Sequence, residues 1–156
     1  MIGIGGYAAS KTPGVEIKTM ALGSCVGVTF WEPSLKIAGM IHVAFPHGRP
    51  DSPRALRQPG YFANTGLPLI FKKLQLLGAH PNNLVIKMMG GANMLDPNNT
   101  FAIGIKNAES IKGILKDMGL RWQAEELGGD ISRTVTIEVD TGIVTIQSPE
   151  LPLRNL

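Results

Sequence analysis

The chain has 156 residues and carries a formal net charge of +3, with a sequence pI near 9.2. Apolar residues make up 44% and charged residues 17%, a balance that excludes disorder and allows a substantial core. No apolar run approaches the roughly 20 residues of a membrane span, and the opening MIGIGGYAASK has no basic n-region or long apolar segment. A cytoplasmic protein without a secretory signal or membrane insertion is therefore expected.

With no repeat visible, the length predicts one domain over residues 1–156. The 19 glycines and 11 prolines predict many tight turns and a strand-rich fold. Residues 2–9 and 15–18 read as short extended pieces split by Lys11-Thr12-Pro13-Gly14. Residues 26–31 (VGVTFW) are β-branched and aromatic, and Glu32-Pro33-Ser34 separates them from 36–45 (KIAGMIHVAF), which predicts a hairpin. A long surface loop is expected over 46–59. A helix follows over 61–77, its start shifted toward Gly66 by Pro68, and Gly78 stops it.

Residues 84–89 (LVIKMM) read as a buried strand ending in Gly90-Gly91. A second helix is predicted over 107–118, where Ala108, Ile111, Leu115 and Met118 form one stripe. Strands are expected at 120–127, 134–139 and 143–147, the last two joined by the turn signal Asp140-Thr141-Gly142. The two-proline tail, 148–156, is expected to fray. This order predicts an α+β fold, a β-rich mixed sheet or sandwich with about two flanking helices.

Cys25 is the only cysteine, which excludes an intramolecular disulfide and a Cys-based structural zinc site. A lone cysteine is ordinarily a small core residue. Three features admit catalysis beside that reading. Gly23-Ser24 puts the thiol at a loop-to-strand junction with backbone N–H groups nearby. His42 lies at the same end of the predicted hairpin, and Thr19 ends the preceding extended segment. An imidazole can convert a thiol to a thiolate–imidazolium pair, and a hydroxyl can orient the imidazole. Activation by a helix following the thiol is excluded, because a strand follows Cys25.

The remaining candidates are weaker. His47 reads as a solvated loop residue, and His80 as satisfying the last carbonyls of a helix. A metal set from His42, His47 and Asp51 matches no recognised ligand spacing, so no metal and no cofactor are expected. Gly90-Gly91-Ala92 reads as a tight turn beside the active site rather than an anion nest. Met88, Met89 and Met94 are expected in the core or lining a pocket, and Trp31 and Trp122 in core or rim. The spread of the basic residues argues against nucleic acid and for mild steering toward an acidic partner.

Together, Thr19, the run 22–26 (LGSCV) and His42-Val43-Ala44-Phe45-Pro46 resemble the CheD family of chemotaxis proteins, the chemoreceptor glutamine deamidases. The segments 87–94 (KMMGGANM), 103–107 (IGIKN) and 127–133, with Arg133, look like that family's later motifs. The resemblance spans about residues 7–147, and the Thr19–Cys25–His42 spacing is its most specific part. Phe45 and the run 130–133 (DISR) depart from the family's usual residues. The resemblance implies Cys25 as nucleophile, His42 as base and Thr19 as third member, with Gly23 and Ser24 at an oxyanion or substrate site. The implied reaction is glutamine deamidation on chemoreceptor cytoplasmic helices, with the CheC phosphatase as a second partner and receptor methylesterase activity as an accessible variant. The rival expectation is a silent adaptor that docks on receptors or CheC.

Overall fold

The computed structural model describes residues 1–94, 96, 98 and 100–156. Its strands are β1 (Tyr7–Ser10), β2 (Glu16–Leu22), β3 (Val26–Glu32), β4 (Ile37–Val43), β5 (Val85–Gly90), β6 (Ala124–Leu127), β7 (Arg133–Glu138), β8 (Val144–Gln147) and β9 (Arg154–Asn155). The helices are α1 (Pro53–Arg57), α2 (Ala63–Leu76) and α3 (Ile103–Asp117). The α+β, β-rich architecture matches the expectation.

The strands form two sheets, one ordered β1-β4-β3-β5-β6 and the other β2-β7-β8-β9. The expected hairpin forms, β3 pairing antiparallel with β4 from Val26↔Val43 to Glu32↔Ile37. Both strands are buried almost throughout, because apolar residues face both ways. Val26, Val28, Phe30, Ile41 and Val43 pack with Leu67, Ile70, Leu74, Ile111 and Leu115 of the helices. Ala38 and Met40 face the other way, against Ile17, Leu22, Val135 and Ile137 of the second sheet. Helices, five-stranded sheet and four-stranded sheet thus form successive layers.

Several elements differ from the sequence reading. The two N-terminal extended pieces form as strands of different sheets: β1 joins β4, while β2 crosses to β7 in the other sheet. The expected loop over 46–59 contains α1, whose N-cap Ser52 accepts from the Ala55 N–H at 3.2 Å. Helix α2 begins at Ala63, and Pro68 lies inside it. Burial of Leu67, Ile70 and Leu74 along one face outweighs the single hydrogen bond that Pro68 cannot donate. Helix α3 starts four residues earlier than its apolar stripe indicates, at Ile103.

The tail expected to fray is held. β9 pairs with β8, and Arg154 Nη2 meets Glu126 Oε2 at 2.7 Å. Hydrogen bonds from Arg154, against the opposing effect of burial, together with those from Arg133, hold the Glu126 carboxyl down to about 2. A charged network that spans β6, β7 and β9 leaves no apolar signature in the tail itself.

Candidate active site

Cys25 sits in the bend between β2 and β3. The end of β5 latches that bend in place: the Gly91 N–H donates to the Cys25 carbonyl at 2.8 Å, and the Ala92 N–H to the Gly23 carbonyl at 2.8 Å. Gly90 makes the approach possible. Its φ is +112°, and a Cβ there would run into the Cys25 carbonyl oxygen. Gly104 plays the same part on the helix side, where a Cβ would strike the Gly91 carbonyl. Beneath the turn, Arg133 donates to the Gly90 carbonyl at 3.3 Å and the Gly128 carbonyl at 3.0 Å.

Register fixes the relation of Cys25 to His42. Gly27 stands opposite His42 across the hairpin, and Cys25 lies two residues before Gly27. Side chains two apart in extended chain share a face, so Cys25 and His42 both project toward the second sheet. Cys25 packs against the apolar cluster that contains Leu22 and Met89. From the opposite sheet, Thr19 brings its Oγ1 to 2.7 Å from His42 Nδ1. Both Thr19 and His42 are buried. Thr19 and His42, from two sheets, are thereby brought into contact on the side to which Cys25 packs.

The resting protonation differs from the expected thiolate–imidazolium pair. Burial pushes the Cys25 thiol above its ordinary value, offset only in part by its own backbone N–H. Burial pushes the His42 imidazole down to about 4. Both shifts favour the uncharged forms, so the pair rests as thiol and neutral imidazole. His42 Nε2 is buried without a hydrogen-bond partner among the described residues, so the expected contact with the sulfur is not made at rest. Apo sites commonly tighten only with substrate in place.

Cys25 opens onto a cavity of about 460 Å³, also lined by Gly23, Ser24, Asn93, Met94, Phe101 and the first residues of α3. This lies within the range of small-ligand sites. Among the described residues, the backbone N–H groups of Gly23 and Ser24 have no hydrogen-bond acceptor, and that of Cys25 turns to its own sulfur. The N-terminus of α3 faces the same cavity through Ile103, Gly104 and Ile105. Its N-cap Ala102 makes no side-chain cap, and the Asp96 carboxylate accepts from the Thr100, Phe101 and Ala102 N–H groups ahead of it at 2.7, 2.7 and 3.1 Å. The segment after Cys25 is strand β3, as expected. The Gly90-Gly91-Ala92 segment, expected as a tight turn, instead ends β5 and runs on beside the cysteine bend, to which Gly91 and Ala92 donate.

Sequence reasoning missed Asn107 as a structural clamp. Fully buried in α3, it donates from Nδ2 to the Ser24 carbonyl at 2.9 Å and the Ala44 carbonyl at 3.0 Å. One amide thus ties the cysteine bend to the strand end that carries His42. The available signal was a polar residue four positions before Ile111, on the apolar stripe. Asn107→Ala should lower unfolding free energy by about 2–4 kcal/mol, because two buried carbonyls lose their donor and a cavity opens. Asn107→Asp should lower the denaturant midpoint further, since it sets a carboxylate oxygen against those carbonyls.

The other candidates stand apart. His80 Nδ1 accepts from the Asn82 N–H at 3.3 Å, so it caps the following turn rather than the preceding helix. His47, Asp51 and His42 do not converge, and among the described residues no cluster of three metal-ligating side chains forms. Among those residues, too, no helix is long and apolar enough to cross a membrane.

Comparison with known proteins shows the family of the chain. The model of the family described as CheD chemotactic sensory transduction matches residues 44–148. The chain belongs to the CheD family. A probable chemoreceptor glutamine deamidase CheD of Syntrophotalea carbinolica is 49% identical over 151 residues, 96% of this chain and 93% of that protein. The chemoreceptor glutamine deamidase CheD of Thermotoga maritima is 38% identical over 147 residues, 94% of this chain and 90% of its own. The family model begins beyond Thr19, Cys25 and His42. A CheD relative from Syntrophus aciditrophicus, 36% identical, is aligned over all 156 residues and so spans those positions.

Proposed function

We propose that this CheD protein hydrolyses glutamine side-chain amides on methyl-accepting chemoreceptors to glutamate, in the cytoplasm, with Cys25, His42 and Thr19 as its catalytic residues. The observation that carries this reading is the Thr19–His42 contact, made across two sheets on the face that also bears Cys25. Relatives named as chemoreceptor glutamine deamidases along nearly the whole chain supply the substrate class.

The thiol would attack the amide carbon as His42 Nε2 takes its proton. Concerted transfer suits a pair that rests uncharged. The resulting oxyanion would sit near the N–H groups of Ser24 and Cys25, with Gly23 leaving the approach open. His42 would return the proton to the departing ammonia, leaving a thioester on Cys25. Water, deprotonated by His42, would then release glutamate and restore the thiol. No step calls on a cofactor or metal. The same acyl-enzyme would admit a receptor methyl ester, with methanol leaving in place of ammonia. CheC is the proposed second partner.

Mass spectrometry of receptor cytoplasmic fragments tests the reading. Incubation should convert specific glutamines to glutamates with ammonia release, and prior alkylation of Cys25, the only thiol, should stop it. Binding of the fragments without conversion would establish the adaptor instead.

A further inference from the structure

Residues 2–6 cross from one sheet to the other directly over the site. The Ile2 N–H donates to the Lys18 carbonyl at 2.8 Å in the second sheet. The Gly5 N–H donates to the His42 carbonyl at 2.8 Å, and the His42 N–H to the Gly6 carbonyl at 3.0 Å, in the first. Ile2 also pairs with Thr19 as an isolated parallel bridge. Gln58 Nε2 donates to the Ile4 carbonyl and fastens the crossing from outside. Gly60 lies so close that a Cβ there would strike the Gly5 carbonyl.

The decisive contact is Thr19 Oγ1 to the Ile2 carbonyl, at 3.1 Å. A carbonyl can only accept, so the threonine proton lies on that side. A hydroxyl has one proton. With both contacts made as hydrogen bonds, the proton of the 2.7 Å bond to His42 Nδ1 comes from the ring. That arrangement puts the ring proton on Nδ1 and leaves Nε2, buried without a partner among the described residues, with its lone pair.

We propose that the Ile2–Gly6 strap is a positioning element of the active site, and that the Ile2 carbonyl, acting through the Thr19 hydroxyl, selects the Nδ1–H tautomer of His42. The assignment of a catalytic purpose to that tautomer rests on His42 being the base for Cys25. The reverse tautomer would present an N–H to the sulfur and could take no proton from it. Threonine alone does not make this choice, since its hydroxyl can donate or accept. The Ile2 carbonyl removes the freedom.

Two measurements decide the matter. Long-range ¹H–¹⁵N correlation spectra of the intact, histidine-labelled protein at neutral pH should show His42 protonated on Nδ1. An Nε2–H ring would overturn the proposal, whatever the protein's activity proves to be. Deletion of residues 1–3 removes the Ile2 carbonyl and leaves Gly5 and Gly6 in place. It should lower kcat by about tenfold, a fraction of what general-base catalysis is worth, with KM little changed and His42 shifted to a mixture of tautomers. In a Thr19→Val background the same deletion should cost nothing further. A loss of equal size in both backgrounds would assign the segment a purely structural role, and a deletion variant with wild-type kcat and tautomer would remove it from the site. Should the deletion variant fail to fold, the spectrum of the intact protein still decides. Alkylation of Cys25 without loss of activity would instead sink the proposed mechanism while leaving the tautomer measurement standing.

Discussion

Cys25→Ala should fold with nearly wild-type stability and convert no receptor glutamine. The side chain is half-buried at the cavity edge, so trading its sulfur for a methyl costs about 1 kcal/mol or less. The bend that carries it is held by backbone bonds from Gly91 and Ala92 and by Asn107, none of which involves the sulfur. Chemistry, by contrast, has no second nucleophile at that position. Cys25→Ser sharpens the test. An alcohol is far less acidic than a thiol, and an imidazole held down to about 4 is a weak base for it. The serine variant should fall on the order of 10²–10⁴ below wild type in initial rate of ammonia release. Serine at wild-type rate would mean that the nucleophile lies elsewhere.

His42→Gln should lose a comparable factor, about 10²–10⁴ in kcat, and should also change how stability depends on pH. In the unfolded chain an imidazole titrates near 6.5, and in the fold burial lowers His42 to about 4. Between these values the unfolded state binds the proton and the folded state does not, so stability falls as pH falls. The contribution is fully present above about pH 6.5 and fully lost below about pH 4. A separation of this size corresponds to about 3 kcal/mol. Denaturant titrations from pH 7 to pH 4 should show this slope in the wild type and a flatter curve in His42→Gln. Equal slopes would locate the acid sensitivity in other groups. The wild-type rate should likewise decline on the acid side only as pH approaches 4, not near 6.5.

The hairpin of β3 and β4 was legible because two apolar runs flank a clear turn, and its register alone places Cys25 and His42 on one face. Helix α3 was legible only from its apolar stripe. Its first turn, Ile103 to Lys106, packs through Gly104 against the Gly91 backbone, and close backbone contact leaves no hydrophobic period to read. The chain-distant partners were hidden for a different reason. That β2 leaves its neighbours for β7, and that Ile2 bonds to Thr19, follow from which edges remain unpaired once the five-stranded sheet is filled. Local spacing cannot report that. Thr19 was found because it ends the extended segment before Cys25 and through the family resemblance, and the Ile2 carbonyl, being backbone, had no residue type to betray it.

The partnership of β2 with β7 also governs when the site can come into being. Thr19 is fixed by strands more than a hundred residues downstream, and non-local pairing of this kind is slow to form. During synthesis, which proceeds from the N-terminus, Cys25 and His42 emerge early, but β7 and β8 follow only near the end. Until then the nascent chain holds an ordinary, unassisted thiol. On the proposed mechanism a ribosome-bound CheD chain would lack the Thr19–His42 contact, and conversion of receptor glutamines would begin only with the closing of the second sheet.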